Sequence, residues 1–88
     1  MSITHKIENK LNEAFRPLRL EVIDESEQHR GHGGWKEGGE THFRVKIVSE
    51  KFSGMNRLAR HRAIHDALEE ELKGAVHALV IEVSAPHD

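Results

Sequence analysis

Cysteine is absent from this chain of 88 residues. The absence excludes disulfides, thiolate nucleophiles and any zinc or iron–sulfur site that the chain could build from its own cysteines. Eight histidines are present, and they would have to supply any soft metal ligand. Because free histidine titrates with a pKa of about 6.5, we expect the net charge to become positive just below neutral pH.

An excess of positive charge and a long apolar run are also missing. Lys and Arg total 13 against 15 Asp and Glu, a net charge of −2 with neutral histidine, so nucleic acid could be bound only through a local basic patch. No apolar run approaches the roughly 18 residues that span a bilayer. The N-terminal residues also lack the pattern of a signal peptide. We therefore expect one soluble cytoplasmic domain over residues 1–88, without membrane association.

Hydrophobic spacing in the first half predicts a helix and two strands. A helix is predicted from about residue 3 to 15, between a capping Ser2 and Pro17, because apolar residues recur there at helical spacing. Alternating apolar residues at 18, 20 and 22 and again at 43, 45 and 47 predict two strands, which we expect to pair antiparallel. Residues 26–40 hold five of the seven glycines, with His29, His32 and Trp35, and are predicted to be a functional or disordered surface loop.

The second half predicts a long helix and a third strand. An apolar stripe runs from Leu58 through Ile64 and Leu68 to residue 72, in a helix expected over 55–72 and ended by Gly74. Residues 76–83 alternate as a strand, with His77 at its start. The element order α-β-β-α-β indicates an α+β fold in which a small three-stranded sheet carries the helices on one face.

Three histidines are candidate metal ligands. The glycine-rich loop could bring His29 and His32 to a ligand presented from outside, and His77 would lie where loops gather at the end of the sheet. With Leu79 and Ile81 behind it, the His77 ring should be partly desolvated and neutral, the form that binds metal. A histidine-rich metal buffer is therefore a further possible reading.

Other histidines are predicted to have structural roles, and no catalytic motif is found. His61 and His65 have a spacing that lets two imidazoles share a metal, but the helical wheel favours packing beside the core. His42 is expected to have a hydrogen-bonding role on the wetter face of the second strand. No nucleophile elbow, phosphate-binding glycine loop or pair of catalytic carboxylates is present, so we expect the chain not to be an enzyme.

A basic first half of the long helix is the candidate nucleic-acid surface. Its arginines, Arg57, Arg60 and Arg62, could contact phosphates, with Lys51 shortly before the helix. The run Glu69–Glu71 follows in the second half, so a solvated helix of mixed charge is the alternative interpretation.

Five sequence blocks, in this order along the chain, strongly resemble the BolA-like family. They are LEVIDES at 20–26, THFRV at 41–45, VSEKFSG at 48–54, RHRAI at 60–64 and VHAL at 76–79. The resemblance covers nearly the whole chain and implies a class II KH-like fold. It does not include the Gly-x-x-Gly clamp of true KH domains, which disfavours sequence-specific RNA binding.

The resemblance implies a non-enzymatic partner of monothiol glutaredoxins. In such a complex the glutaredoxin and a bound glutathione supply thiolates to a bridging [2Fe-2S] cluster, and the BolA-like chain supplies imidazole. The family's C-terminal ligand falls on His77 and its loop ligand on His29, with His32 as a competitor in a glycine-rich loop. The implied roles are iron–sulfur assembly, trafficking or iron sensing, and the isolated chain is expected to be a monomer without a cofactor. The family also includes transcriptional regulators, for which residues 51–62 would be the DNA-contacting segment.

Overall fold

The computed structural model describes residues 2–25 and 41–88. Within them the chain forms three α-helices, three strands and one short 3₁₀ helix. In chain order these are α1 (Ile3–Phe15), β1 (Arg19–Asp24), β2 (His42–Val48), the 3₁₀ helix (Glu50–Phe52), α2 (Arg57–Ala67), α3 (Glu69–Lys73) and β3 (Ala78–Ser84). The predicted order α-β-β-α-β is confirmed, with the last helical region divided into two.

The three strands form one mixed sheet in the order β1-β2-β3. β1 runs antiparallel to β2, as predicted, and Val22 lies opposite Val45. β3 runs parallel to β2, with Ala78 opposite His42. A parallel pair requires a crossover connection, and the segment containing α2 and α3 supplies it. As a result β2 and β3 begin at the same edge of the sheet.

The core lies between one face of the sheet and the helices. Every second residue of β2 is buried on this face, and α1 and α2 bury their apolar stripes against it; the buried set includes Phe43, Val45, Ile47, Ile7, Leu11, Phe52 and Ile64. The opposite face carries Arg44 and the exposed residues Glu21, Lys46 and Glu82. This arrangement confirms the prediction that the helices pack on one face.

Serine hydroxyls bind both ends of α1, and the one at its C-terminus, from Ser49, is buried. Ser2 caps the start of α1 by accepting a hydrogen bond from the His5 N–H at 3.1 Å. At the other end, Ser49 is 1% exposed, and its hydroxyl donates to the Phe15 carbonyl at 2.6 Å. The Phe15 ring packs on Phe52 with centroids 4.8 Å apart. The end of α1 is therefore fixed to the 3₁₀ helix that follows β2.

The long helix predicted over 55–72 is divided at Leu68, which has φ −107° and ψ 20°. The Leu68 N–H still donates to the Ile64 carbonyl at 3.0 Å, and the Leu72 N–H to the Leu68 carbonyl at 2.9 Å, so helical hydrogen bonds continue on both sides of the break. Beyond it, the buried Glu71 lies 2.9 Å from the Lys10 ammonium of α1. The tertiary ion pair explains why a carboxylate occupies an inward position of α3.

Leu58 departs from the predicted core, since it is 61% exposed. The buried side of α2 is centred on Ile64 and continues to Leu68, and Leu58 lies at the margin of that stripe. The stripe is therefore narrower than the apolar pattern of the sequence indicates.

Candidate functional site

His77 lies one residue before β3, at the edge where β2 and β3 begin. Its backbone N–H donates to the Thr41 carbonyl at 2.7 Å, and the same carbonyl accepts from the Ala78 N–H at 3.2 Å. The residue is exposed. The expected partial burial is therefore not found, and the ring contact that the structure shows for His77 is with His42. The backbone of His77 is fixed, and its imidazole is accessible to a partner.

His42, the first residue of β2, is the neighbour of His77 that the sequence does not reveal. The two ring centroids are 5.4 Å apart, with the planes tilted by 54°. His42 is 5% exposed, and its Nδ1 lies 2.9 Å from the Thr41 hydroxyl. The expected hydrogen-bonding role is therefore confirmed by the contact with Thr41, whereas the expected surface position is wrong. Alternation along β2 assigns His42 correctly to the face opposite the core, but its burial depends on contacts from outside the strand, including the one with His77.

The loop histidines His29 and His32 lie outside the described residues. The residues that flank their segment are described, and both lie at the edge of the sheet that carries His77. The Glu25 N–H donates to the His42 carbonyl at 2.7 Å, and Thr41 is hydrogen-bonded to His77. The two described residues that flank positions 26–40, Glu25 and Thr41, therefore lie at the same edge of the sheet as His77. The role of His29 and His32 as metal ligands stays a prediction.

The described ranges, 2–25 and 41–88, contain no group of three or more histidine, aspartate or glutamate side chains that could hold a metal ion. His61 is half-buried and His65 is exposed, so the expectation that both rings pack beside the core is wrong for His65. The accessible imidazole of His77 has the donor chemistry for an external metal centre. These residues therefore fit part of a coordination shell that other ligands would complete.

Arg44 places a cation on the open face of the sheet, two residues after His42 in β2. Its Nε donates to Glu25 at 2.9 Å, and one terminal nitrogen donates to Glu82 at 2.8 Å. The hydrogen bond with Glu25, followed by that with Glu82, raises the pKa of the guanidinium above its ordinary value. The open face beside the histidine pair therefore presents a paired cation instead of a free one.

The basic residues predicted to contact phosphates around α2 differ in how exposed their side chains are. Lys51, Arg57 and Arg62 are exposed. The Arg60 side chain is 14% exposed; it makes a two-point ion pair with Asp88, with one distance of 3.0 Å, and its Nε donates to the Phe52 carbonyl at 3.1 Å. Arg60 is therefore engaged within the protein, and the other three candidates remain for contact with phosphates.

A model of the family described as BolA-like protein matches residues 11–88. The chain belongs to the BolA-like family. The resemblance of the five sequence blocks is thus confirmed by a match that contains His77, the candidate loop ligands and the basic segment.

Curated relatives support this membership over most of the BolA-like chain. A protein of Sinorhizobium sp, described as an uncharacterized protein in the cobS 5′ region, is 59% identical over 87 residues, which are 98% of this chain and 94% of that protein. The DNA-binding transcriptional regulator BolA of Escherichia coli is 47% identical over 81 residues, covering 92% of this chain and 73% of that protein. Other relatives are longer, since the chain spans 23% of the SufE-like protein 1 of Arabidopsis thaliana.

The BolA-like fold is also matched by solved structures. The BolA domain of SufE1 from Arabidopsis thaliana superposes with a TM-score of 0.88 at 44% identity, covering 99% of this chain and 95% of that one. The α+β architecture with its three-stranded sheet is therefore the fold of this family. Among the described residues, no helix of the BolA-like chain combines the length and apolar character that crossing a membrane requires.

Proposed function

We propose that this BolA-like chain is a non-enzymatic adaptor that binds a monothiol glutaredoxin and contributes imidazole ligands to a bridging [2Fe-2S] cluster. The observation that carries the proposal is that His77 is exposed at the edge of the sheet where Glu25 and Thr41 lie, the described residues on either side of the sequence that contains His29 and His32. The absence of cysteine supports a shared site, because sulfur ligands would have to come from the partner. The adaptor would act in iron–sulfur assembly, trafficking or iron sensing.

In the proposed complex, this chain supplies His77 and one loop histidine, and the glutaredoxin and glutathione supply thiolates. The cluster would provide one-electron redox chemistry or a transferable iron–sulfur unit. Replacing a thiolate by a neutral imidazole lowers the negative charge around iron and raises the reduction potential. The fixed backbone of His77 and its exposed ring would let the chain present this ligand without unfolding any element of the sheet.

The deciding experiment is anaerobic reconstitution of the chain with a monothiol glutaredoxin, glutathione, iron and sulfide. We expect the His77→Ala variant to lose or alter the visible circular dichroism spectrum of the mixed cluster. The His65→Ala variant is the matched control, since it removes an exposed histidine from α2, away from the sheet edge. Identical spectra for His77→Ala and the unmodified chain would refute the ligand assignment.

The same assay distinguishes the two loop histidines. We expect His29→Ala to reproduce the effect of His77→Ala and His32→Ala to leave the spectrum unchanged. The opposite pattern would transfer the ligand role to His32. If neither single substitution changes the spectrum, the loop does not supply the second ligand.

DNA binding is the second candidate function, favoured by the similarity to the regulator BolA of Escherichia coli. The exposed cations Lys51, Arg57 and Arg62 would contact phosphates. Each phosphate contact contributes a slope of about −0.9 to log K against log salt concentration. In a fluorescence anisotropy titration, the triple alanine variant should bind more weakly and with a smaller slope, whereas Lys6→Ala on α1 should behave as the unmodified chain. A salt-independent affinity would exclude this function.

A further inference from the structure

Thr41 connects the backbone of one histidine to the side chain of the other. Its carbonyl accepts the N–H groups of His77 at 2.7 Å and Ala78 at 3.2 Å. Its hydroxyl lies 2.9 Å from Nδ1 of His42. Thr41 is itself 6% exposed, so these contacts are made inside the protein. One buried residue thus holds the His77 backbone just before β3 and also contacts the imidazole of His42.

The buried His42 ring packs against the exposed His77 ring. The centroid distance of 5.4 Å and the tilt of 54° lie in the range of favourable tilted ring pairs. An exposed histidine without such a neighbour samples about three staggered χ1 positions. Contact with a buried ring favours the position that maintains the packing.

We propose that Thr41 and His42 are positioning residues that hold the His77 imidazole in one orientation for an external metal centre. The proposal rests on the proposed role of His77 as a ligand and adds the residues that preorganise it. The burial of His42 argues for support instead of ligation, since 5% exposure leaves its ring little surface for a centre presented by another protein. Residues behind a ligand commonly set its orientation in this way.

The effect on binding follows from the population of the competent rotamer. If removing the His42 ring releases His77 into about three equally populated rotamers, about one third of the molecules keep the correct orientation. The apparent affinity then falls about threefold, because it scales with the competent fraction. The geometry therefore predicts a moderate loss in His42→Ala, in contrast to the larger loss expected when His77 is removed.

The test compares three variants by NMR of the isolated chain and by cluster formation. Three-bond couplings should report one dominant χ1 rotamer for His77 in the unmodified chain and rotamer averaging in His42→Ala. His42→Phe restores a ring without nitrogen atoms, so it should recover both the rotamer and the cluster affinity. Thr41→Val, which keeps both histidines and removes only the hydroxyl, should give an intermediate rotamer distribution. Amide chemical-shift dispersion checks that each variant is folded.

The outcomes separate positioning from ligation and from the function itself. A His77 rotamer distribution unchanged in His42→Ala, or in Thr41→Val should His42→Ala not fold, would overturn the proposal. It would also be overturned if His42→Phe removed the cluster spectrum as completely as His77→Ala, because His42 would then be a ligand. If the rotamers respond as expected but His77→Ala leaves the cluster intact, the proposed function fails while the positioning of His77 stands.

Discussion

The carboxylate of Asp88 links the stability of the fold to pH. Its carboxylate accepts hydrogen bonds from the Arg60 guanidinium and, at 3.0 Å, from the Ala85 N–H. These two contacts, the one with Arg60 being stronger, lower the pKa of Asp88 to about 2. Since the side chain is 42% exposed, solvent screens part of this interaction. The pair nevertheless fixes the C-terminal residues against α2.

We expect the Asp88→Asn substitution to destabilise the fold at neutral pH and to have less effect in acid. A folded pKa below the unfolded value of about 3.9 means that the carboxylate stabilises the fold fully above pH of about 4. This contribution disappears as the pH falls through about 2. Urea unfolding of both proteins across this range measures the difference. In an Arg60→Gln background the pH dependence of the difference should become smaller, because only the Ala85 N–H then lowers the pKa of Asp88. Parallel stability curves for the unmodified chain and Asp88→Asn would contradict the assignment.

At the scale of elements, the C-terminus of α1 contains local strain. Arg16 has a positive φ of 43°, and its N–H closes the helix by donating to the Asn12 carbonyl at 3.0 Å. A left-handed conformation costs a residue with a Cβ about 1–2 kcal/mol, whereas glycine adopts it freely. Glycine also loses more chain entropy on folding, which offsets part of the gain.

We therefore expect Arg16→Gly to raise the free energy of unfolding by up to about 1 kcal/mol. Arg19→Gly is the matched control, because it removes an exposed arginine from β1, where glycine costs about 0.5–1 kcal/mol. Equilibrium urea unfolding distinguishes the opposite signs. A loss of stability in Arg16→Gly as large as that in Arg19→Gly would show that the helix end does not gain from glycine.

Elements whose bounds depend on neighbouring residues in the sequence are the parts of the fold that could be predicted. The bounds of α1 follow from its apolar stripe, Ser2 and Pro17, which all act within one helix. The break between α2 and α3 at Leu68 could not be predicted, because no glycine or proline lies between residues 57 and 73 to signal it. The exposure of Leu58 is also missed, because a helical wheel gives the angle of a side chain but not the width of the surface packed against it.

In the whole molecule, only part of the candidate site can be predicted from the sequence, namely the position of His77 but not its contact with His42. The position of His77 at the start of β3 follows from the alternation of the strand. Its contact with His42 depends on the parallel pairing of β2 with β3. No local pattern in either strand specifies that pairing, since it requires the crossover through α2 and α3. The residues that contact the candidate ligand His77 are therefore harder to predict than His77 itself.

The composition of the whole chain leads to a prediction about where a cluster can form. A [2Fe-2S] cluster is held by four protein or thiol ligands, most often thiolates. This chain has no cysteine, and its described residues contain no three-ligand metal group. After anaerobic incubation with iron and sulfide and then desalting, the isolated chain should show no sulfur-to-iron charge-transfer absorption. With a monothiol glutaredoxin and glutathione, the absorption should appear and elute in size-exclusion chromatography at the mass of a heterocomplex containing this chain. Cluster absorption eluting with the isolated chain would mean that histidines alone suffice, and the requirement for a thiol-bearing partner would be removed.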